Sequence, residues 1–482
     1  MKQLSTSQKK ILQTLGLAVL FNFSAQINLS AQCGFLSGQG CPNTDYENFG
    51  WNSGGNAAEI EYDNFISGFH STVVRDADGN FQIWGEKTAN NGTGNLTSKT
   101  IVNSSNYPNL TGLPLKAAMG TTYSGGFIGT GYIILTTTGL HAGGNRGTLG
   151  VLDDNVTPTG TTFQKLTINS SNNAFGLPTG VVPSDVKMMF ATNQTLVILT
   201  CSGNVYVLSQ VESMRGVGNG GSNTSWSQVT INNSNDPLEN IIAVRGTFSA
   251  LVALSTTGQL YTWGSDTYLG NNVASANRNR ATLMTLPTNP NASAAIKMIG
   301  ATYSVGSNPS SPNGTSYYVL YNDGKLYSLG SNNVRQLGNW PVGADPTGPT
   351  AFPAYAHALQ WVQPSYPNVT NDGAGLTMNN IKWISPNEHD GGGNASINVI
   401  NNDGRLWNWG SNSGNTLGRP NYATIPSGNW PYNPGQPPVS SPLSSLGNFN
   451  PLTSHILAVE TGGHTTLIIN KCEQKFGYIG HA

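Results

Sequence analysis

The sequence predicts an all-β chain, a seven-bladed β-propeller of four-stranded antiparallel blades, and three observations carry that expectation. A glycine-punctuated phrase recurs, strongly as GQLYTWGS (258–265), GKLYSLGS (324–331) and GRLWNWGS (404–411). Weaker copies are GNFQIWG (79–85), GLHAGG (139–144) and GNVYVLS (203–209). The opening glycines, Gly79, Gly139, Gly203, Gly258, Gly324 and Gly404, lie 60, 64, 55, 66 and 80 residues apart, and recurrence at such a period marks a repeat architecture. Composition is the second observation. Only 9% of residues are charged and 37% are apolar, the balance falling to glycine, asparagine, serine and threonine, which suit short strands joined by turns. Third, the 18 Tyr and 10 Trp and the many strand-forming apolar runs exclude a disordered chain.

Residues 1–32 read as a secretory signal peptide. Lys2, Lys9 and Lys10 precede the apolar run ILQTLGLAVLF (11–21), and small residues follow near Ala25 and Ala31. That run is too short to span a bilayer, so an exported protein without membrane insertion is expected. Residues 33–57 form an N-terminal segment that can supply the last strand of the ring, and the seven repeats occupy 58–482. One unit is clearest in NIIAVRGTFSALVALSTTGQLYTWGSDTYLG (240–270): two apolar runs, a Thr257-Gly258 turn, then Leu260, Tyr261 and Trp263 in a third run. Short runs separated by tight turns form an antiparallel meander. The order returns at 58–96, 115–150, 186–218, 296–338, 381–418 and, degraded, at 456–480. A fourth strand recurs as FQKLTI (163–168) and WSQVTI (226–231), each followed by an asparagine-serine turn. Closing seven such sheets into a ring leaves only short, protected edges.

The pattern V..G..H[ST]..L..[DN]G..Y.WG.N..G.LG resembles the regulator of chromosome condensation repeat, in a secreted bacterial form, over nearly all of the chain from residue 58. The resemblance implies a seven-bladed propeller and varied partners, among them nuclear GTPases for the founding member and a β-lactamase for a secreted inhibitor. An exported chain would not meet a nuclear GTPase, and nothing in the residues selects the inhibitor's target.

Export permits disulfides. Cys33, Cys41, Cys201 and Cys472 allow three connectivities. Repeat register puts Cys201 and Cys472 at one turn position, matching Asn322, in repeats far apart in a ring. That is beyond the ~7 Å limit on Cα separation. Cys33–Cys41 is the simplest pair, with Cys472 bonded to an N-terminal cysteine as the runner-up.

Candidate chemistry is sparse. His70 and His464 share a register in the loop between inner strands, which predicts a structural role. Asp76-Ala77-Asp78-Gly79 reads as a hairpin turn and not a calcium loop, since Phe81 stands where that loop needs glycine. Glu388-His389-Asp390 is a local acid–imidazole cluster beside three glycines, too few ligands for zinc. The inner strands otherwise read as small and apolar, with no recurring acid to nominate. No catalytic residue, metal or cofactor is assigned. Trp84, Trp263 and Trp409 repeat at one register and read as blade packing, with Trp226 and Trp361 on outer strands. The aromatics of the two proline- and glycine-rich inserts, 339–358 and 419–440, stand outside the register, and Trp340, Tyr355, Trp430 and Tyr432 are nominated as a binding patch.

A net charge of −1 gives no footprint for nucleic acid. The leading expectation is a non-enzymatic, monomeric binding module, secreted or at the cell surface, that presents loops to a protein or glycan, alone or as part of an adhesin. Two alternatives stay open, a secreted propeller hydrolase or lyase working in the central channel, and a secreted inhibitor of an enzyme.

Overall fold

A computed structural model of the chain describes residues 65–480, apart from 69–70, 76–78, 90–93, 125–126, 145–162, 167–173, 271–273, 306–312, 340–356, 367–375, 391–393, 403–405, 412–415, 418–455 and 471–475. The described strands form seven antiparallel sheets, each a meander in which sequence neighbours pair. The architecture is a β-propeller. Sheets one to five have four strands: they start at Phe65–Ser67, Pro114–Ser124, Val186–Thr192, Ile241–Gly246 and Ile296–Ser304. Sheets six and seven, starting at Ile381–Pro386 and Ile456–Thr461, have three described strands each. The expected four-stranded blade is therefore met in five of the sheets. Helix among the described residues is limited to two short 3-10 turns, Pro183–Asp185 and Glu212–Arg215.

The first strands of successive sheets pack side by side, so they form the inner ring. The last sheet reaches the first: Ser67 Oγ lies 2.6 Å from Thr465 Oγ1, which also donates to the Gly68 carbonyl at 3.1 Å. The core lies between sheets. One buried cluster joins sheets three to seven and takes in Val74 of sheet one, a second joins sheets two and three, and a third joins sheets one and two.

The recurrent phrase has a steric basis. Its opening glycine turns the hairpin between second and third strands, with φ +83° at Gly79 and Gly203, +80° at Gly258 and +86° at Gly324; Gly404 lies outside the described residues. The closing glycine meets a harder constraint. A Cβ on Gly410 would stand 2.5 Å from the Ala395 carbonyl oxygen, and the same collision recurs at Gly264 with Ser249 and at Gly330 with Thr315. Each of those carbonyls accepts from the serine after the glycine, Ser411 at 2.7 Å, Ser265 at 2.8 Å and Ser331 at 3.2 Å.

The tryptophan of the phrase latches one sheet to the previous one. Trp263 Nε1 donates to the Met214 carbonyl at 2.9 Å, and Trp409 Nε1 to the Gln336 carbonyl at 2.8 Å. Both indoles are fully buried, whereas Trp84 is half-buried against the core. Trp226 and Trp361 flank or occupy outer strands and donate to the Gly176 and Thr285 carbonyls.

Cys201 sits in an exposed hairpin turn and is disulfide-bonded. Its partner lies outside the described residues, as do Cys33, Cys41 and Cys472. With Cys201 bonded, a Cys33–Cys41 pair would leave Cys472 as the partner of Cys201 in this chain, whereas a bond from Cys472 to one N-terminal cysteine would leave Cys201 the other.

Candidate functional site

Two inner-strand positions depart from the small, apolar expectation: a lysine recurs near the strand start as Lys116, Lys187, Lys297 and Lys382, and a second position faces the middle of the ring. By their pairing with second strands, Phe190, Arg245, Gly300, Ser385 and Glu460 are equivalent in sheets three to seven. Two of the five are ionisable and of opposite sign. Both are buried, Arg245 at 2% exposed and Glu460 at 6%. A lone charge in such a place costs several kcal/mol unless it is paired and hydrogen-bonded.

The partners come from sheet six. After Pro386 its chain does not turn at once into the second strand, Ser396–Asn401, but enters the ring as a loop carrying Glu388, His389 and Asp390, exposed by 2%, 1% and 4%. Gly300 makes room for this entry, since a Cβ there would lie 2.5 Å from Pro386 Cγ.

Each of the three residues grips a different part of the ring. Glu388 Oε2 accepts from Arg245 Nε of sheet four at 2.6 Å, with Arg245 Nη2 also against it, and Oε1 accepts from the Ala301 amide of sheet five at 2.9 Å. His389 Nδ1 lies 2.9 Å from the Ala191 carbonyl oxygen of sheet three, and Nε2 lies 3.4 Å from Glu460 Oε1 of sheet seven. The His389 carbonyl accepts from the amide and hydroxyl of Thr121 in sheet two, at 3.0 and 2.9 Å. Asp390 Oδ1 accepts from Thr121 Oγ1 at 2.7 Å and Oδ2 from Asn387 Nδ2 at 3.0 Å. Phe190 supplies an aromatic floor: the Arg245 guanidinium lies 4.9 Å above its ring centroid and the His389 ring 5.2 Å away. Glu460 Oε2 is held by Ser385 Oγ at 2.9 Å.

One loop of sheet six thus touches sheets two, three, four, five and seven. It is a plug across the central channel. Burial pushes the Glu460 carboxyl up to about 8 and the Asp390 carboxyl up to about 6, and it raises Glu388 despite the attraction of Arg245. The groups engage one another and the surrounding backbone in a buried interior, an arrangement that holds blades together. Among the described residues no three His, Cys, Asp or Glu side chains converge to hold a metal ion.

The sequence marked Glu388-His389-Asp390 as a cluster but missed Arg245 and Glu460. The signal was present: VRG at 244–246 and VET at 459–461 put opposite charges at one register of an otherwise neutral position. His464 lies half-buried in the loop between first and second strands of sheet seven, as its register predicts, and His70 is outside the described residues.

The nominated patch, Trp340, Tyr355, Trp430 and Tyr432, also lies outside the described residues. The anchors from which its two inserts depart are described, and they are equivalent. Ser328 Oγ donates to the Leu337 carbonyl at 2.7 Å and Asn408 Nδ2 to the Leu417 carbonyl at 3.1 Å, matching Thr262 Oγ1 and Leu269 at 2.5 Å in sheet four. By strand direction these anchors share the end of the ring from which the plug enters.

No protein-family model and no curated protein matches the chain. Its fold does match solved structures. Prp20p from Saccharomyces cerevisiae aligns over 86% of this chain and 81% of its own, at 15% identity and a TM-score of 0.52. The structure of Kap60 bound to yeast RCC1 (Prp20) gives 87% and 80%, 15% and 0.51. At that identity the likeness speaks for the propeller fold alone. Among the described residues no helix is long and apolar enough to cross a membrane.

Proposed function

We propose that this chain is an exported, seven-bladed propeller that binds a macromolecular partner, protein or glycan, on the face from which the plug and the two inserts leave the ring. The observation that carries this reading is the plugged channel. Glu388, His389 and Asp390 are buried against five other sheets, so the described residues occupy the axis, which favours binding by the loops. Seven sheets with the last against the first support closure of the ring. Equivalent anchors at Leu337 and Leu417 support inserts that stand side by side. Export rests on the N-terminal segment. Prp20p is described by its binding to Gsp1p and histones, and propellers of this build are protein-binding modules in that instance.

Trp340, Tyr355, Trp430 and Tyr432 are assigned to the binding face, because Trp and Tyr dominate interface hot spots and proline-rich loops lose little entropy on binding. The test is a paired W340A/W430A variant of the mature chain, compared with wild type for melting and for capture of surface proteins and glycans. Loss of capture with melting unchanged is expected. Loss of stability with capture retained would make the patch a structural cover and overturn the assignment. Among the described residues the channel acids Glu388, Asp390 and Glu460 are engaged by the plug and its partners, which favours the binding reading over a hydrolase or lyase in the channel.

A further inference from the structure

We propose that a single proton held between His389 and Glu460 locks the plug in the channel, and that its loss at alkaline pH frees the loop while the sheets stay folded. The two ring nitrogens have different partners. A backbone carbonyl can only accept, so His389 Nδ1, 2.9 Å from the Ala191 oxygen, carries a hydrogen. In a neutral imidazole the other nitrogen, Nε2, is then an acceptor. It faces Glu460 Oε1 at 3.4 Å, and two acceptors attract only with a proton between them. Either Glu460 is a neutral acid facing the imidazole, or the imidazolium faces a carboxylate. In both forms the pair holds one proton.

The remaining charged groups around the pair are Arg245, Glu388 and Asp390. Arg245 is engaged by Glu388 through Nε at 2.6 Å, and Asp390 is held by Thr121 and Asn387. Removing the proton therefore adds a negative charge beside Glu388 in a buried site where, among the described residues, Arg245 is the cation that attracts Glu460 and it is already paired with Glu388. Burial raises Glu460 to about 8, which places the change in the mildly alkaline range. Because the plug residues hold the other sheets largely through side chains, with one isolated bridge between Asp390 and Thr121 of sheet two, they can leave without disrupting the strand pairing within any sheet.

Hydrogen exchange on the full mature chain tests this. In wild type, protection of peptide 386–390, corrected for intrinsic rates, is expected to fall by up to about tenfold per pH unit between about pH 6.5, where a released imidazole gives up the proton, and about pH 8, and to level off above it. Peptide 250–255 in sheet four should keep its protection. Glu460→Gln replaces the labile proton with an amide hydrogen that can donate to His389 Nε2 while its oxygen still accepts from Ser385, so the plug should stay protected at alkaline pH. Three results overturn the proposal: no loss of plug protection up to about pH 10, loss together with the sheets, or an equal loss in E460Q.

Discussion

The closing glycine of the repeat phrase gives the sharpest test of how the sequence builds a blade, because two glycines of one sheet separate backbone strain from collision. Gly258 has φ +80° and nothing within 4 Å of the place a Cβ would take, whereas Gly264 has φ +134° and a Cβ there would stand 2.7 Å from Ala250 Cα and closer still to the Ser249 carbonyl oxygen. Gly258→Ala therefore incurs only the left-handed penalty, about 1 kcal/mol. Gly264→Ala adds a clash with backbone that cannot yield, since Ser249 O accepts from the Ser265 amide at 2.8 Å and Ala250 is paired to Gly264 in the ladder. Strain at a φ open mainly to glycine, about 1–3 kcal/mol, plus overpacking of similar size puts the cost at roughly 3–5 kcal/mol. Urea unfolding followed by tryptophan fluorescence measures both, with equal slopes required for comparison. If G264A proves no more destabilising than G258A, the steric account of the phrase fails.

Two further outcomes follow from the channel. Arg245→Met leaves Glu388 buried without its cation, so a loss of about 3–5 kcal/mol is expected, and adding Glu388→Gln should recover much of it; a neutral R245M would mean the pair is not what holds the plug. The carboxyls of Glu460 and Asp390 titrate higher in the fold than in the unfolded chain, so folding takes up protons. Their cost is absent below about pH 4, where both states are protonated, and grows as pH rises through about 6 for Asp390 and about 8 for Glu460. Stability should accordingly decline by a few kcal/mol between about pH 4 and about pH 8, and Glu460→Gln should flatten the upper part of that decline; parallel pH profiles in the two proteins would refute the assignment.

The blades were legible in the repeats before any of them was placed in space. Glycines recurring at one register, short apolar runs between them and a tryptophan in the third run dictate a meander, because those preferences are local: positive φ at a turn, a missing Cβ at a carbonyl, alternation along a strand. Gly258, Gly264, Trp263 and their counterparts could be read without knowing what lay beside them. The channel is different, because it exists only in the assembled ring. Arg245 and Glu460 lie in different repeats 215 positions apart, on strands whose neighbours read as small and apolar, and Glu388-His389-Asp390 looked like an isolated cluster in a loop. Only closing the sheets around an axis brings these residues within hydrogen-bonding distance, and only then does burial make their charges and shared proton matter. The pairing of Cys201 belongs to the same class, since which thiol reaches an exposed turn is set by the path of the chain and not by its repeat.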